Sequence, residues 1–167
     1  MRNKIIALSW EYIEDACLNI AHQIKQDEFL PDLILPVLWG GAIPSRILID
    51  MMNWPRTICY PITARSYCSM KQAQSLFVDI NLNFNMEDPQ NKKVLIIEEI
   101  IDTGNTMKYT ISKLIESGFK ENNIEVASIA YRSSCQRIPD YWHIEVKNEW
   151  VVFPWDKREY IREIESK

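Results

Sequence analysis

Long apolar runs are missing from this chain. None approaches the roughly 18 residues that span a bilayer, so no membrane-crossing helix is expected. Basic charge is short as well: Lys and Arg number 19 against 23 Asp and Glu, a net charge of −4. With the basic residues scattered, duplex nucleic acid is not expected as a partner, whereas a small phosphorylated ligand is still open because a pocket can be positive on an acidic protein. Cys17, Cys59, Cys68 and Cys135 form no CxxC pair. A chain of this length does not need staples, so reduced thiols in a cytoplasmic protein are expected. No signal peptide is recognisable, because Glu11, Glu14 and Asp15 break the N-terminal apolar stretch. Neither GxGxxG nor a Walker loop occurs, and no repeat, low-complexity tract or linker divides the chain. Glycine is scarce, at four residues, so where each one stands is informative.

What is present is the balance of a globular domain, 47% hydrophobic and 25% charged, long enough to bury one proper core. Ile13, Ala16, Cys17, Ile20, Ala21 and Ile24 recur at helical spacing, with Ser9 as N-cap and Glu11 in the first turn. Residues 33–38 form a continuous apolar run that suits a buried parallel strand. It ends at Trp39-Gly40-Gly41, and a helix follows with Pro44 in its first turn and Ile47, Leu48 and Met51 turned inward. The pattern then predicts a strand over 57–63 and a long irregular loop over 64–90, a length usual for functional loops. Beyond it come a buried strand over 94–97, a helix over 105–119 stopped by Gly118, and a strand over 124–131. Short strands at 144–146 and 151–153 and a terminal helix over 156–165 complete the chain. Such alternation implies an α/β, Rossmann-like fold: a mostly parallel central sheet flanked by helices.

Gly40-Gly41 and Gly104 both follow predicted strands, on the edge of an open α/β sheet where ligands bind. Two ordinary tight turns would account for them as well. Residues 94–107, VLIIEEIIDTGNTM, say more. The amides from Thr103 to Thr106 open a helix and make an anion site at the positive end of its dipole, to which the Thr103 and Thr106 hydroxyls add donors. Two adjacent acids, Glu98 and Glu99, would repel a phosphate, and ribose hydroxyls and a Mg2+ ion are their natural partners. Phosphate, ribose and metal together describe a ribose 5-phosphate ligand. An Asp-Thr turn that merely caps a helix is the plainer alternative.

Four apolar residues, two acids, two apolar residues and D-T-G-x-T resemble the phosphoribosyl pyrophosphate (PRPP) motif of type I phosphoribosyltransferases, with Glu99 where the second acid is often Asp. The resemblance covers about 33–162 and is nearest to the hypoxanthine/xanthine–guanine, or 6-oxopurine, enzymes. It implies a single domain over 1–167 with a core at about 30–133 and a small hood from about 136–167, to which the N-terminus is a further candidate contributor. It also implies Mg2+ as cofactor and a homodimer or homotetramer. The implied activity is transfer of the 5-phosphoribosyl group from PRPP to hypoxanthine, guanine or xanthine with release of pyrophosphate. A non-catalytic PRPP- or nucleotide-binding regulator on this fold, or transfer to another base, are the alternatives.

The same resemblance distributes roles among residues. Asp102 assists the proton at the purine N7, and Glu98, Glu99, Asp102, Thr103, Gly104, Asn105 and Thr106 hold the ribose 5-phosphate. Trp39, Gly40 and Gly41 make the pyrophosphate loop, with Trp39 where the family commonly has Lys or Arg, and Arg162 matches an arginine that reaches pyrophosphate. Ser66 and Tyr67 match a flexible loop that closes over the reacting centre. Arg132 stands where a lysine donates to the purine O6, Trp150 stacks on the base, and the Val151 carbonyl accepts from its edge. Glu98 and Glu99 are the metal ligands it implies, and Asp156 matches an acid that helps hold a second metal ion.

Overall fold

The helical spacing near the N-terminus folds into α1 (Trp10–Gln26), with Ile13, Ala16, Cys17, Ile20, Ala21 and Ile24 buried. The Ser9 hydroxyl caps it, accepting from the Tyr12 amide at 3.1 Å. Each such Ile removed from water contributes roughly 1.5–3 kcal/mol, so the buried face, more than helix propensity, holds α1 in place. The structure, a computed structural model, describes residues 4–69, 72–79 and 87–165. The other elements are β1 (Ile5–Ala7), β2 (Leu33–Leu38), α2 (Ala42–Met51), β3 (Ile62–Ser69), β4 (Gln72–Asp79), β5 (Val94–Ile101), α3 (Asn105–Glu116), β6 (Ile124–Arg132), β7 (Tyr141–Val146), β8 (Trp150–Val152) and α4 (Lys157–Glu165).

Six strands form the main sheet in the order β4-β3-β2-β5-β6-β7. All neighbours are parallel except β3 and β4. Helices cover both faces, so β2 and β5 are apolar on both sides, as parallel strands must be. Leu95 and Ile97 pack with α1 and α2 in one core, while Val94 and Ile96 pack with α3 in the other. From β2 the chain winds outward to β3, and from β5 it winds the opposite way to β6. The crevice between the carboxyl ends of β2 and β5 is therefore the switch point where ligands sit in such sheets. A separate two-stranded sheet pairs β1 with β8 in parallel, Ile5 opposite Trp150. No helix among the described residues is long and apolar enough to cross a membrane. Cys17, Cys59 and Cys135 are free thiols, and burial pushes the Cys17 thiol up to about 12.

Three expectations are corrected. Residues 57–63 are not one strand: a 3-10 turn occupies Arg56–Ile58 and the strand begins at Ile62. The irregular loop expected over 64–90 is largely an antiparallel hairpin, β3 with β4, in which Ser66 faces Leu76 and Tyr67 faces Ser75. The pairing of the two strands is a backbone contact between distant positions, which no local period marks. Ser66 and Tyr67 are thus strand residues, and 70–71 and 80–86 of that stretch lie outside the described residues. Finally β7, counted with the hood, is the edge strand of the main sheet beside β6.

Candidate active site

β5 runs through both acids, and its alternation sends them to opposite faces. Glu98 points to the α3 side, where it lines a cavity of about 100 Å3 with Ile100, Asp102, Thr103, Gly104 and Thr106. Glu99 points to the α2 side and fills the space over Gly40, so closely that any Cβ there would overlap its carboxylate. Neighbours in sequence are therefore separated by the sheet. Burial is the main cause that pushes the Glu98 carboxyl well above the ordinary range; the Glu99 charge adds to it, and a hydrogen bond to the Glu99 backbone offsets part.

Because the folded state raises the Glu98 value, it holds a proton that the unfolded chain has already released. Stability of the ligand-free protein then falls as pH rises from the ordinary value, about 4.3, through the raised one. Glu98→Gln removes this loss. The variant is expected to melt at a higher temperature than the wild type near neutral pH and to converge with it below about pH 4. Melting curves from pH 4 to 8 that stay parallel would refute the assignment.

After β5 the chain turns sharply at Asp102-Thr103-Gly104 into α3. Gly104, at φ +83°, is the N-cap, and no side chain caps the helix. Apart from the Asn105 amide, the first-turn amides are thus left to a ligand, in the field of the helix dipole. Thr103 accepts from the Asn105 amide at 3.3 Å, which leaves its hydroxyl hydrogen available. The turn is gripped from behind by a segment that the sequence reading missed: the Gln136 amide donates to the Thr103 carbonyl at 2.9 Å. No local pattern marks that contact, since its partners are 33 positions apart.

At the end of β2 the Leu38–Trp39 peptide is cis and Trp39 is 85% exposed. The Gly41 amide donates to the Val37 carbonyl at 2.9 Å, so at most the amides of Trp39 and Gly40 are left for an anion. Arg162 is exposed on α4, and no hydrogen bond or ion pair joins it to this turn among the described residues. A turn thus follows β2 at residues 39–41.

Arg132 stands at the end of β6. Its Nε pairs with the Asp102 carboxylate, and its Nη1 donates to the carbonyls of Lys147 at 3.2 Å and Glu149 at 3.1 Å. Trp150 begins β8, half exposed, and its amide donates to the Lys4 carbonyl at 2.8 Å. Val151 follows it in the ladder opposite Ile6. Asp156 sits at the start of α4, its carbonyl accepting from the Tyr160 amide at 3.0 Å. Among the described residues no three acids, histidines or cysteines gather into a metal-binding group. Glu98 and Asp102 do share a cavity with two threonine hydroxyls. Such hard oxygen donors suit a Mg2+ whose remaining positions are filled by phosphates and water.

The family model of the phosphoribosyl transferase domain matches residues 8–161. Xanthine-guanine phosphoribosyltransferase of Idiomarina loihiensis is 24% identical over 155 residues, 92% of this chain and 88% of that protein. Human phosphoribosyltransferase domain-containing protein 1 is 36% identical over 163 residues, 91% of this chain and 72% of that protein. The crystal structure of purine phosphoribosyltransferase from Pyrococcus horikoshii superposes with a TM-score of 0.75 at 26% identity, covering 91% of this chain and 93% of the other. With a match from Leu8 to Ile161 and the turn after β5 in place, the chain belongs to the phosphoribosyl transferase domain family and has the type I fold.

Proposed function

We propose that this protein transfers the 5-phosphoribosyl group of PRPP to a 6-oxopurine, giving a nucleoside 5′-monophosphate and pyrophosphate, a purine-salvage reaction. The observation that carries the reading is the uncapped start of α3 beside Glu98 and Asp102. It offers amides for a 5-phosphate and, within the same cavity, acids for the ribose and for the proton of the base. Thr103 to Thr106 would anchor the phosphate and set C1′ at the crevice. Glu98 and Glu99 would reach the ribose from the two sides of β5. Asp102 would take the proton at N7 as N9 bonds to C1′ and the bond to pyrophosphate breaks. Trp150 would stack on the base. A Mg2+ ion, when bound, would be held at Glu98 with the ligand's own oxygens and would supply charge neutralisation for the departing pyrophosphate.

Trp39 supports a second reading, a nucleotide-binding regulator, because an exposed indole stands where a cation would grip pyrophosphate. One panel separates them: PRPP with hypoxanthine, guanine, xanthine or adenine, following pyrophosphate release with Mg2+ and with a chelator. Release with 6-oxopurines alone, abolished by the chelator, is expected. PRPP binding without release from any base points to the regulator, and release with adenine alone to a different acceptor.

A further inference from the structure

The side chain of Arg132 is 20% exposed, while that of its partner Asp102 is 64% exposed. Among the described residues Arg132 is the one side chain bonded to Asp102. On its other edge it holds the carbonyls of Lys147 and Glu149. The second of these belongs to the peptide unit whose N–H, that of Trp150, donates to the Lys4 carbonyl. One peptide plane is thus held from both sides, by Arg132 on its oxygen and by Lys4, the residue before β1, on its nitrogen. It lies immediately before the α-carbon of Trp150. Two further contacts close this corner. The Ser133 amide donates to the Val146 carbonyl at 2.9 Å, and the Lys147 amide to the Glu149 carboxylate at 2.8 Å.

We infer that Arg132 is a positioning residue that ties Asp102 at the end of β5 to the turn carrying Trp150, so that the acid and the aromatic platform are set by one rigid plane. The geometry requires an arginine. Its Nε and Nη1 are separate atoms fixed in a planar fork and each faces a different acceptor, whereas a lysine carries all its donors on one terminal atom. The two Nη2 hydrogens have no partner among the described residues.

The kinetic side of this inference rests on the proposed reaction; the structural side does not. Hydrogen exchange of the ligand-free protein therefore comes first. Arg132→Lys and Arg132→Met should each speed exchange across 147–152 by about 10-fold or more while β2 and β5 keep wild-type protection, showing local loosening of a folded protein. Wild-type exchange at 147–152 in both variants would overturn the brace, whatever the activity. The second arm is a cycle on kcat. Arg132→Lys should lower kcat about 10-fold in the wild type and less than about 3-fold when Asp102 is already Ala, which has no acceptor for the Arg132 Nε, because the two act as a unit. Independent, additive losses would overturn the coupling. A wild type that transfers to no base would refute the proposed reaction alone, with the exchange result still deciding the brace.

Discussion

Asp102→Asn is expected to lower kcat by roughly 100- to 10,000-fold, the range for losing a positioned general acid–base group. The affinity for PRPP should change by less than about 3-fold, because the substitution removes proton transfer and not a ground-state contact. The structure makes this a clean test. The amide oxygen of Asn can still accept from the Arg132 Nε, so the link to the hood survives while the ability to hold a proton is lost. Asp102 is well exposed at the turn, so no buried group is stranded and folding should be unaffected. Single-turnover rates beside calorimetric PRPP titrations check it. Equal losses in rate and affinity would show that Asp102 only binds.

Gly104→Ala should cost the phosphate site itself. At φ +83° an L residue is strained, by about 1–2 kcal/mol. A Cβ would also lie 2.9 Å from the Arg137 backbone nitrogen and 3.1 Å from that of Gln136, neither of which can swing away as a side-chain end would. The turn must therefore shift, and with it the amides that open α3. PRPP binding is expected to weaken by about 10-fold or more, beyond what a stability loss of that size explains, since misplacing an anion cradle removes several hydrogen bonds at once. Denaturant unfolding and PRPP binding measured on the same variant separate the two effects. Unchanged affinity would mean that the phosphate does not sit on this turn.

Both predictions concern a segment that sequence reading reached directly. A local motif is readable because its parts are neighbours: an apolar strand, a glycine at positive φ and a helix start follow one another within 94–107. The α1 face was readable for the same reason, a period repeated within a single element. The hairpin β3–β4 was not, because neither strand alternates apolar and polar residues regularly and backbone pairing itself leaves no periodicity to detect. Nor was the separation of Glu98 from Glu99 anticipated, although strand alternation alone would have said that adjacent residues face apart.

The amino-acid sequence by itself determined the α/β alternation, the strand-to-helix turn after β5 and the tryptophan before Gly40-Gly41, since each depends on residue types and short spacing. Tertiary structure alone decided what Arg132 does. Its partners lie 30 residues before it and 15 and 17 residues after it, and they meet only because β5 and β6 are adjacent and the chain returns through β7 to the same corner. The order of strands in a sheet is set by which apolar faces can be covered together, a property of the whole chain that no local window contains.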